Sequence, residues 1–303
     1  MFLFYELIAA IDYIDYENSS MMAPCVLKLC EKYFKSAKAL KGSLVVINLV
    51  PHPNVFQRKI IMSLNDDKRH EICVMVKDAK KKHWNASHVT EKAQNYMMLI
   101  TNANEITNIV MQLKGLPTWN PLAQVVVIFT DAMRSESEQD SMVRVVFNEL
   151  LMYDVLQVNI VIQRTNSLNI LQVLTWFPYE RDNCASYIES IRKIDECKLI
   201  ETMNLTTGKI QRDNIVTSFS AKYFPKIPTN FHECPMKVTT FLWEPYVVGH
   251  RNKIQKGLEV VMIQTISQKM NLKPVYNVID QLRATKLITA DNESGLYSDI
   301  LQR

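Results

Sequence analysis

Short, unbroken runs of apolar and β-branched residues recur through the first 180 positions, and they restrict the fold more than any other feature. LVVINLV (44–50), EICVMV (71–76), YMMLIT (96–101), QVVVIFT (124–130), VNIVIQR (158–164) and NILQVLTWF (169–177) each have the length of a strand. A run that is apolar at consecutive positions marks a strand covered on both faces. Between these runs lie segments of helical spacing. Pro24–Leu40 carries Val26, Leu27, Leu29, Cys30, Tyr33, Phe34 and Ala37 at that spacing, and Gly42 follows as a stop. Asn54–Leu64, the stretch around Asn104–Leu113, and Glu136–Tyr153 repeat the pattern. Strands separated by helices predict a largely parallel sheet with helices on both faces. The expected fold class is α/β, with a parallel-sheet sandwich over residues 24–177 as an amino-terminal domain. Residues 1–23 precede it; Glu6 and Asp12 interrupt their apolar run and no basic residue leads it, so the pattern is not that of a signal peptide.

Composition then narrows the chemistry. The 303 residues suit two units or one large one, and 48% hydrophobic against 22% charged residues is enough for a sizeable core. Only six glycines occur (Gly42, Gly115, Gly208, Gly249, Gly257 and Gly295), and no two lie within six residues of each other. Phosphate-cradling loops need clustered glycines, because the backbone must approach the phosphates without a Cβ in the way. No P-loop, dinucleotide fingerprint or Gly-x-Ser-x-Gly elbow can be drawn, which argues against nucleotide-dependent chemistry. A net charge of +4 is too small an excess to predict a nucleic-acid partner. The densest basic run, Lys77–His83, reads as a solvated loop after a strand. The six cysteines (25, 30, 73, 184, 197 and 234) form no Cys-x-x-Cys pair, and His83 and His88 are five apart, off the spacing that places two ligands on one helical face. No metal and no cofactor are expected. Asp131, after QVVVIFT, stands where α/β enzymes place catalytic groups. It reads equally as a helix start, and no nucleophile–base pair accompanies it, so the chain is not expected to be an enzyme.

Beyond residue 177 the character changes. Residues 178–233 contain FPYERDNC and FPKIPTNFHEC with weak periodicity, and read as a linker. Cys184 and Cys197 enclose twelve residues there, and a disulfide between them would restrain a segment with little core of its own. A second unit, 234–303, opens with MKVTTFL (236–242) as a strand. WEPYVVG then turns the chain, since Pro245 cannot continue a central ladder. Tyr246 can present an aromatic face as a wall while its hydroxyl stays wet. GLEVVMIQTISQKMNL (257–272) has Leu258, Val261, Met262, Thr265, Ile266 and Met270 at helical spacing; KPVYNVI (273–279) returns as a strand, and ESGLYSDILQR begins another helix. That is a β-α-β opening without a closing half, so the unit is expected to be an incomplete lobe. Asn18, Asn85, Asn204 and Asn292 each fit the glycosylation pattern Asn-x-Ser/Thr, which favours a secretory compartment. No run reaches the roughly 18 apolar residues of a membrane-spanning helix.

The ordered series CPMKVTTFLWEPYVVG, a polar gap, GLEVVMIQTISQKMNLKPVYNV and SGLYSDILQR resembles the start of the first ligand-binding segment of ionotropic glutamate receptors. It is most similar to their divergent branch, the insect chemosensory ionotropic receptors. FPKIPTNFHECP resembles the lead-in that those receptors place before the binding core, and TWFPYERDNC with its following cysteine is also similar to theirs. The specific resemblance spans about residues 174–303; the α/β domain before it matches only in position and general character. The resemblance implies a partial, periplasmic-binding-protein-like ligand-binding lobe over 234–303. It also implies the extracellular ligand-sensing portion of a chemosensory ligand-gated cation channel subunit, on the outer side of the plasma membrane. A small-molecule ligand and co-receptor subunits in a hetero-oligomeric channel follow from it. In glutamate receptors the tyrosine of the equivalent Glu-x-Pro-Tyr stretch covers the ligand, which assigns that role to Tyr246 and places Glu244 and Trp243 beside it as ligand-binding candidates. The sequence departs from the family pattern at its end: Arg303 is not the arginine that grips the ligand carboxylate, and the pore and second ligand-binding segment are not in these residues. The alternatives are a secreted soluble α/β ligand-binding protein and, further off, an α/β enzyme.

Overall fold

A computed structural model of the chain describes residues 23–29, 32–34, 43–48, 60, 62, 73–78, 92–131, 135–165, 167–180, 183–203, 210–218, 226, 228–250 and 253–279. The chain divides into two units, Met1–Pro178 with Tyr187–Lys226, and Tyr179–Ser186 with Ile227–Arg303. In the first unit the strands are β1 (Ser43–Asn48), β2 (Cys73–Asp78), β3 (Asn95–Ile100), β4 (Gln124–Phe129), β5 (Val158–Arg164), β6 (Ser167–Thr175), β7 (Arg192–Met203) and β8 (Ile210–Ser218). Helix α1 (Glu105–Lys114) joins β3 to β4, and α2 (Glu136–Leu151) joins β4 to β5. Residues 23–29 and 32–34 are also helical. The protein is thus mixed α/β.

All eight strands form one sheet in the order β2-β1-β3-β4-β5-β6-β7-β8. The pairings through β5 are parallel, as expected from the helical crossovers. From β5 to β8 they are antiparallel. The switch has a simple cause: only residues 165 and 166 separate β5 from β6, and a parallel return needs a crossover of a dozen residues or more.

Burial confirms that the central strands are covered on both faces. Every residue of β3 is buried, as are the last five of β4. Tyr96, Met98 and Ile100, with Val125, Val127 and Phe129, face a core shared with Ile106, Ile109 and Leu113 of α1 and Val143, Phe147 and Leu150 of α2. Their neighbours Met97, Leu99, Val126 and Ile128 face a second core with Val26, Leu29, Tyr33 and Phe34 of the helical segment. Each such side chain contributes about 1.5–3 kcal/mol on burial. Helix α2 begins where Ser135 accepts a hydrogen bond from the Glu138 N–H at 3.2 Å, with Glu136 and Glu138 in the first turn complementing the helix dipole.

Two expectations are corrected here. Residues 178–233 are not a linker: 192–203 and 210–218 supply β7 and β8, while Tyr179–Ser186 belongs to the second unit. Strand β7 reads RKIDECKLIETM, burying Ile194, Asp195 and Cys197 and exposing Arg192, Lys193 and Lys198, so its charged residues mask the strand pattern. The expected Cys184–Cys197 bridge is replaced by Cys25–Cys197 and Cys184–Cys234, with Cα–Cα distances of 5.8 and 5.4 Å. Although only twelve residues separate them, Cys184 and Cys197 fall in different units. Cys197 points into the core that holds Cys25. Beside that bridge, buried Asp195 accepts hydrogen bonds from Lys32 Nζ at 2.8 Å and from the Tyr33 hydroxyl. The sequons at Asn18, Asn85, Asn204 and Asn292, the pair His83 and His88, and the stretch ESGLYSDILQR all lie outside the described residues.

The first unit closes on a buried lysine. The Lys226 N–H donates to Gln157 Oε1 at 3.0 Å, and its Nζ donates to the Val158 carbonyl, which also accepts from Thr175 Oγ1 at 3.2 Å. Burial lowers the Lys226 pKa well below the usual lysine value of 10.5.

Two measurements check this packing. The double variant Cys25→Ser with Cys197→Ser is expected to lose about 2–5 kcal/mol of first-unit stability in denaturant unfolding, because the bridge closes a separation of 172 residues. Below the ordinary lysine pKa the unfolded chain holds a proton that folded Lys226 lacks, so stability should rise with pH through that window. Denaturant curves collected from neutral pH to about pH 10 should show the rise in the natural chain and its loss in Lys226→Met. Identical slopes in the two proteins would refute it.

Candidate functional site

The second unit contains β9 (Cys234–Phe241), β10 (Val248–His250), β11 (Lys253–Lys256), α3 (Leu258–Met270) and β12 (Leu272–Ile279). β9 and β12 pair in parallel, from Cys234 opposite Leu272 to Phe241 opposite Ile279, with α3 as the crossover. Within the stretch that reads as a polar gap, His250 and Lys253–Lys256 belong to the antiparallel pair β10–β11. Ligand sites in open parallel sheets lie beyond the carboxyl ends of the strands, and β9 delivers the Trp243–Tyr246 corner to that end.

The corner is held by backbone contacts. Trp243 and Val247 exchange both of their backbone hydrogen bonds, at 2.9 and 2.8 Å, around the cis Glu244–Pro245 peptide. The first turn of α3 then docks on it: Leu258 N–H donates to the Pro245 carbonyl at 3.4 Å and Glu259 N–H to the Tyr246 carbonyl at 3.1 Å. Helix N–H groups that lack an intrahelical partner thus find one in the corner itself. Gly257 makes the approach possible, with φ at +140° and space for no side chain, since a Cβ there would lie 2.0 Å from the Tyr246 carbonyl oxygen. Val247 is buried and anchors the turn, while Trp243, Glu244 and Tyr246 face solvent.

The result is an aromatic row in water. The Phe241 and Trp243 rings stack at 5.9 Å with 13° between their planes, and Trp243 meets Tyr246 at 5.3 Å and 51°. Trp243 is 55% exposed and Tyr246 39%, which is unusual for side chains of this size. The three residues expected at a ligand site, Tyr246, Glu244 and Trp243, therefore share one tip. Phe241 joins them and was not foreseen. Its signal was its position two residues before Trp243, which in an extended strand puts both rings on one side. Flat apolar faces flanked by a carboxylate suit an organic ligand with a ring or a cationic group.

The alternative catalytic position looks different. Asp131 is exposed at the end of β4, where it accepts from its neighbour Thr130 Oγ1 at 3.3 Å. At the end of β3, next to the crevice where the strand order reverses, the Glu105 carboxylate accepts from Thr101 N–H at 3.0 Å, Asn102 N–H at 3.2 Å and Thr101 Oγ1 at 3.2 Å. Those donors, which could hold an anion in a nucleotide fold, are already occupied by the chain's own carboxylate.

No protein-family model and no curated protein matches this chain. Among the described residues, no helix is long and apolar enough to cross a membrane.

Gly257→Ala tests how the corner is held. It forces a Cβ against the Tyr246 carbonyl at a φ that L-residues rarely adopt, and should cost the second unit about 2 kcal/mol or more, with loss of near-ultraviolet circular dichroism from the aromatic row. Unchanged stability and spectrum would mean that the corner does not rest on α3.

Proposed function

We propose that the chain is the extracellular ligand-sensing portion of a chemosensory ligand-gated cation channel subunit of the divergent ionotropic receptor type. The observation that carries the reading is the exposed Phe241–Trp243–Tyr246 row, fixed to the first turn of α3 at the carboxyl end of a parallel β-α-β unit. Such a unit is the opening of a periplasmic-binding-protein-like lobe, and its corner is the place where a clamshell of two lobes holds a small molecule. Tyr246 covers the ligand in this reading, Trp243 supplies a second wall, and Glu244 stands at the rim. The disulfides Cys25–Cys197 and Cys184–Cys234 support an oxidising setting, as on the outer side of a cell; the plasma membrane is the location this reading assigns.

The mechanism follows from linkage. A ligand that prefers the closed clamshell shifts the population toward it by no more than its difference in affinity for the two states. Moving a channel from mostly closed to mostly open takes a preference of about 10⁴-fold. An exposed aromatic wall suits that task, because its area is wet in the open state and buried against ligand in the closed one. Co-receptor subunits complete the hetero-oligomeric channel in this reading.

Reading the transcript past the Arg303 codon tests the proposal. The frame is expected to continue into apolar runs of about 20 residues. A stop codon at that point overturns the channel reading in favour of a secreted ligand-binding protein. In the extended frame, expressed with a co-receptor subunit, Tyr246→Ala should raise the half-maximal ligand concentration by about ten-fold or more, equal to about 1.4 kcal/mol. Tyr246→Phe, which keeps the ring, should stay within about three-fold.

A further inference from the structure

Helix α3 has two usable sides, and the second unit covers one of them. Val260 and Ser267 are buried on the sheet side, with Ile263 and Met270 half-buried beside them, and the helix packs on β12 and more lightly on β11. The opposite side is in water: Leu258 is 66% exposed, Val261 57%, Met262 55% and Ile266 41%. At about 100° per residue these four and Thr265 form one stripe about 140° wide, across the helix from the sheet. Thr265 brings no unmet donor into the stripe, because its hydroxyl is given to the Val261 carbonyl at 2.8 Å. Single exposed apolar residues are ordinary on a protein surface, whereas four on one stripe mark a surface that associates. Leu258, Met262 and Ile266 lie four apart, and such a row is a ridge that fits the groove of another helix.

The charges at the ends of the stripe select the other helix. Glu259 stands in the first turn and Lys269 in the last, both exposed, and neither makes an ion pair among the described residues. When a second α3 lies antiparallel to the first about a two-fold axis, Glu259 of each copy comes level with Lys269 of the other. That register is centred on Gln264, so it also brings Met262 of each copy level with Ile266 of the other. Gln264 is uncharged, and no like charges meet at the axis. A parallel pair would set Glu259 beside Glu259 and Lys269 beside Lys269 and would align the two helix dipoles, all of which is unfavourable. The face is therefore complementary to itself in one orientation.

We propose that the outward face of α3 binds the same face of a second copy of this chain, as an antiparallel helix pair about a two-fold axis. The contact is small. A pair of thirteen-residue helices falls below the size of a permanent interface, so the dimer is reversible, with a dissociation constant on the order of 100 μM. It uses the side of the helix and does not rest on the channel reading of the aromatic corner.

Sedimentation equilibrium of the chain from about 5 to 500 μM tests this, and a monomer–dimer equilibrium is expected. Met262→Glu, at an exposed position, should weaken it by about ten-fold or more without lowering the temperature of thermal unfolding. Glu259→Lys and Lys269→Glu should each weaken it by about five-fold, since each sets like charges together at both ends of the pair. Glu259→Lys combined with Lys269→Glu restores both pairs by symmetry and should return the constant to within about two-fold of the natural chain. An equimolar mixture of the two single variants should dimerise more tightly than either alone. A chain that stays monomeric at about 500 μM would overturn the proposal and leave the face to a partner of another kind. A dimer indifferent to Met262→Glu, or a double reversal no tighter than the single ones, would overturn it as well.

Discussion

Strands β3 and β4 have no face that water can share, and the rest of the first unit is arranged to satisfy that condition. Helices α1 and α2 cover one face as a direct product of the crossovers that keep β3, β4 and β5 parallel. The other face is covered by the helical segment within 23–34, which precedes the whole sheet in sequence. That segment is attached at β7, through Cys25–Cys197 and through Lys32 and Tyr33 on Asp195. The antiparallel strands after β5 therefore do more than extend the sheet: they carry the anchor for the layer that seals its second face. A buried carboxylate is costly unless its charge is met, and here one ammonium and one phenol meet it. Removing Lys32 would take the opposing charge from a carboxylate in the core, so the ion pair specifies where the segment docks more than it adds net stability.

This dependence explains what could be read in the sequence. Burial on both faces produces unbroken apolar runs, so β1, β3, β4 and β5 were legible to within two residues. β7 and β8 were not, because strands such as RKIDECKLIETM put charged residues on one side and spoil the alternation with a buried Asp195. Disulfide connectivity is not a local property of sequence. Cys184 and Cys197 looked like partners because they are close along the chain, but the unit boundary passes between them. At the site, Trp243, Glu244 and Tyr246 stood out as a proline corner. The partner that holds the corner did not, since Gly257 meets the Tyr246 carbonyl only after a hairpin folds back between them.

Helix α3 is apolar on more sides than its contacts use. Val260 and Ser267 are buried, whereas Leu258, Val261, Met262 and Ile266 are exposed on the other side. The outward residues Leu258, Val261, Met262 and Ile266 are thus apolar surface that none of the described elements covers. The aromatic corner meets the helix at its first turn, where Leu258 N–H and Glu259 N–H bond the Pro245 and Tyr246 carbonyls.

The two ends of α3 thus do different work. At its start, N–H groups are taken up by the Pro245 and Tyr246 carbonyls; at its end, the Met270 and Asn271 carbonyls accept from Phe231 and Glu233. Thirteen residues at 1.5 Å each put about 20 Å between those ends. Sites more than roughly 7–10 Å apart with no shared partner respond independently to substitution. A change at Tyr246 and one at Asn271 should then add in their effects on the stability of the second unit, unless α3 acts as a rigid strut that couples its two ends. Non-additivity between two such distant exposed side chains would be evidence for that coupling, because no direct contact joins them.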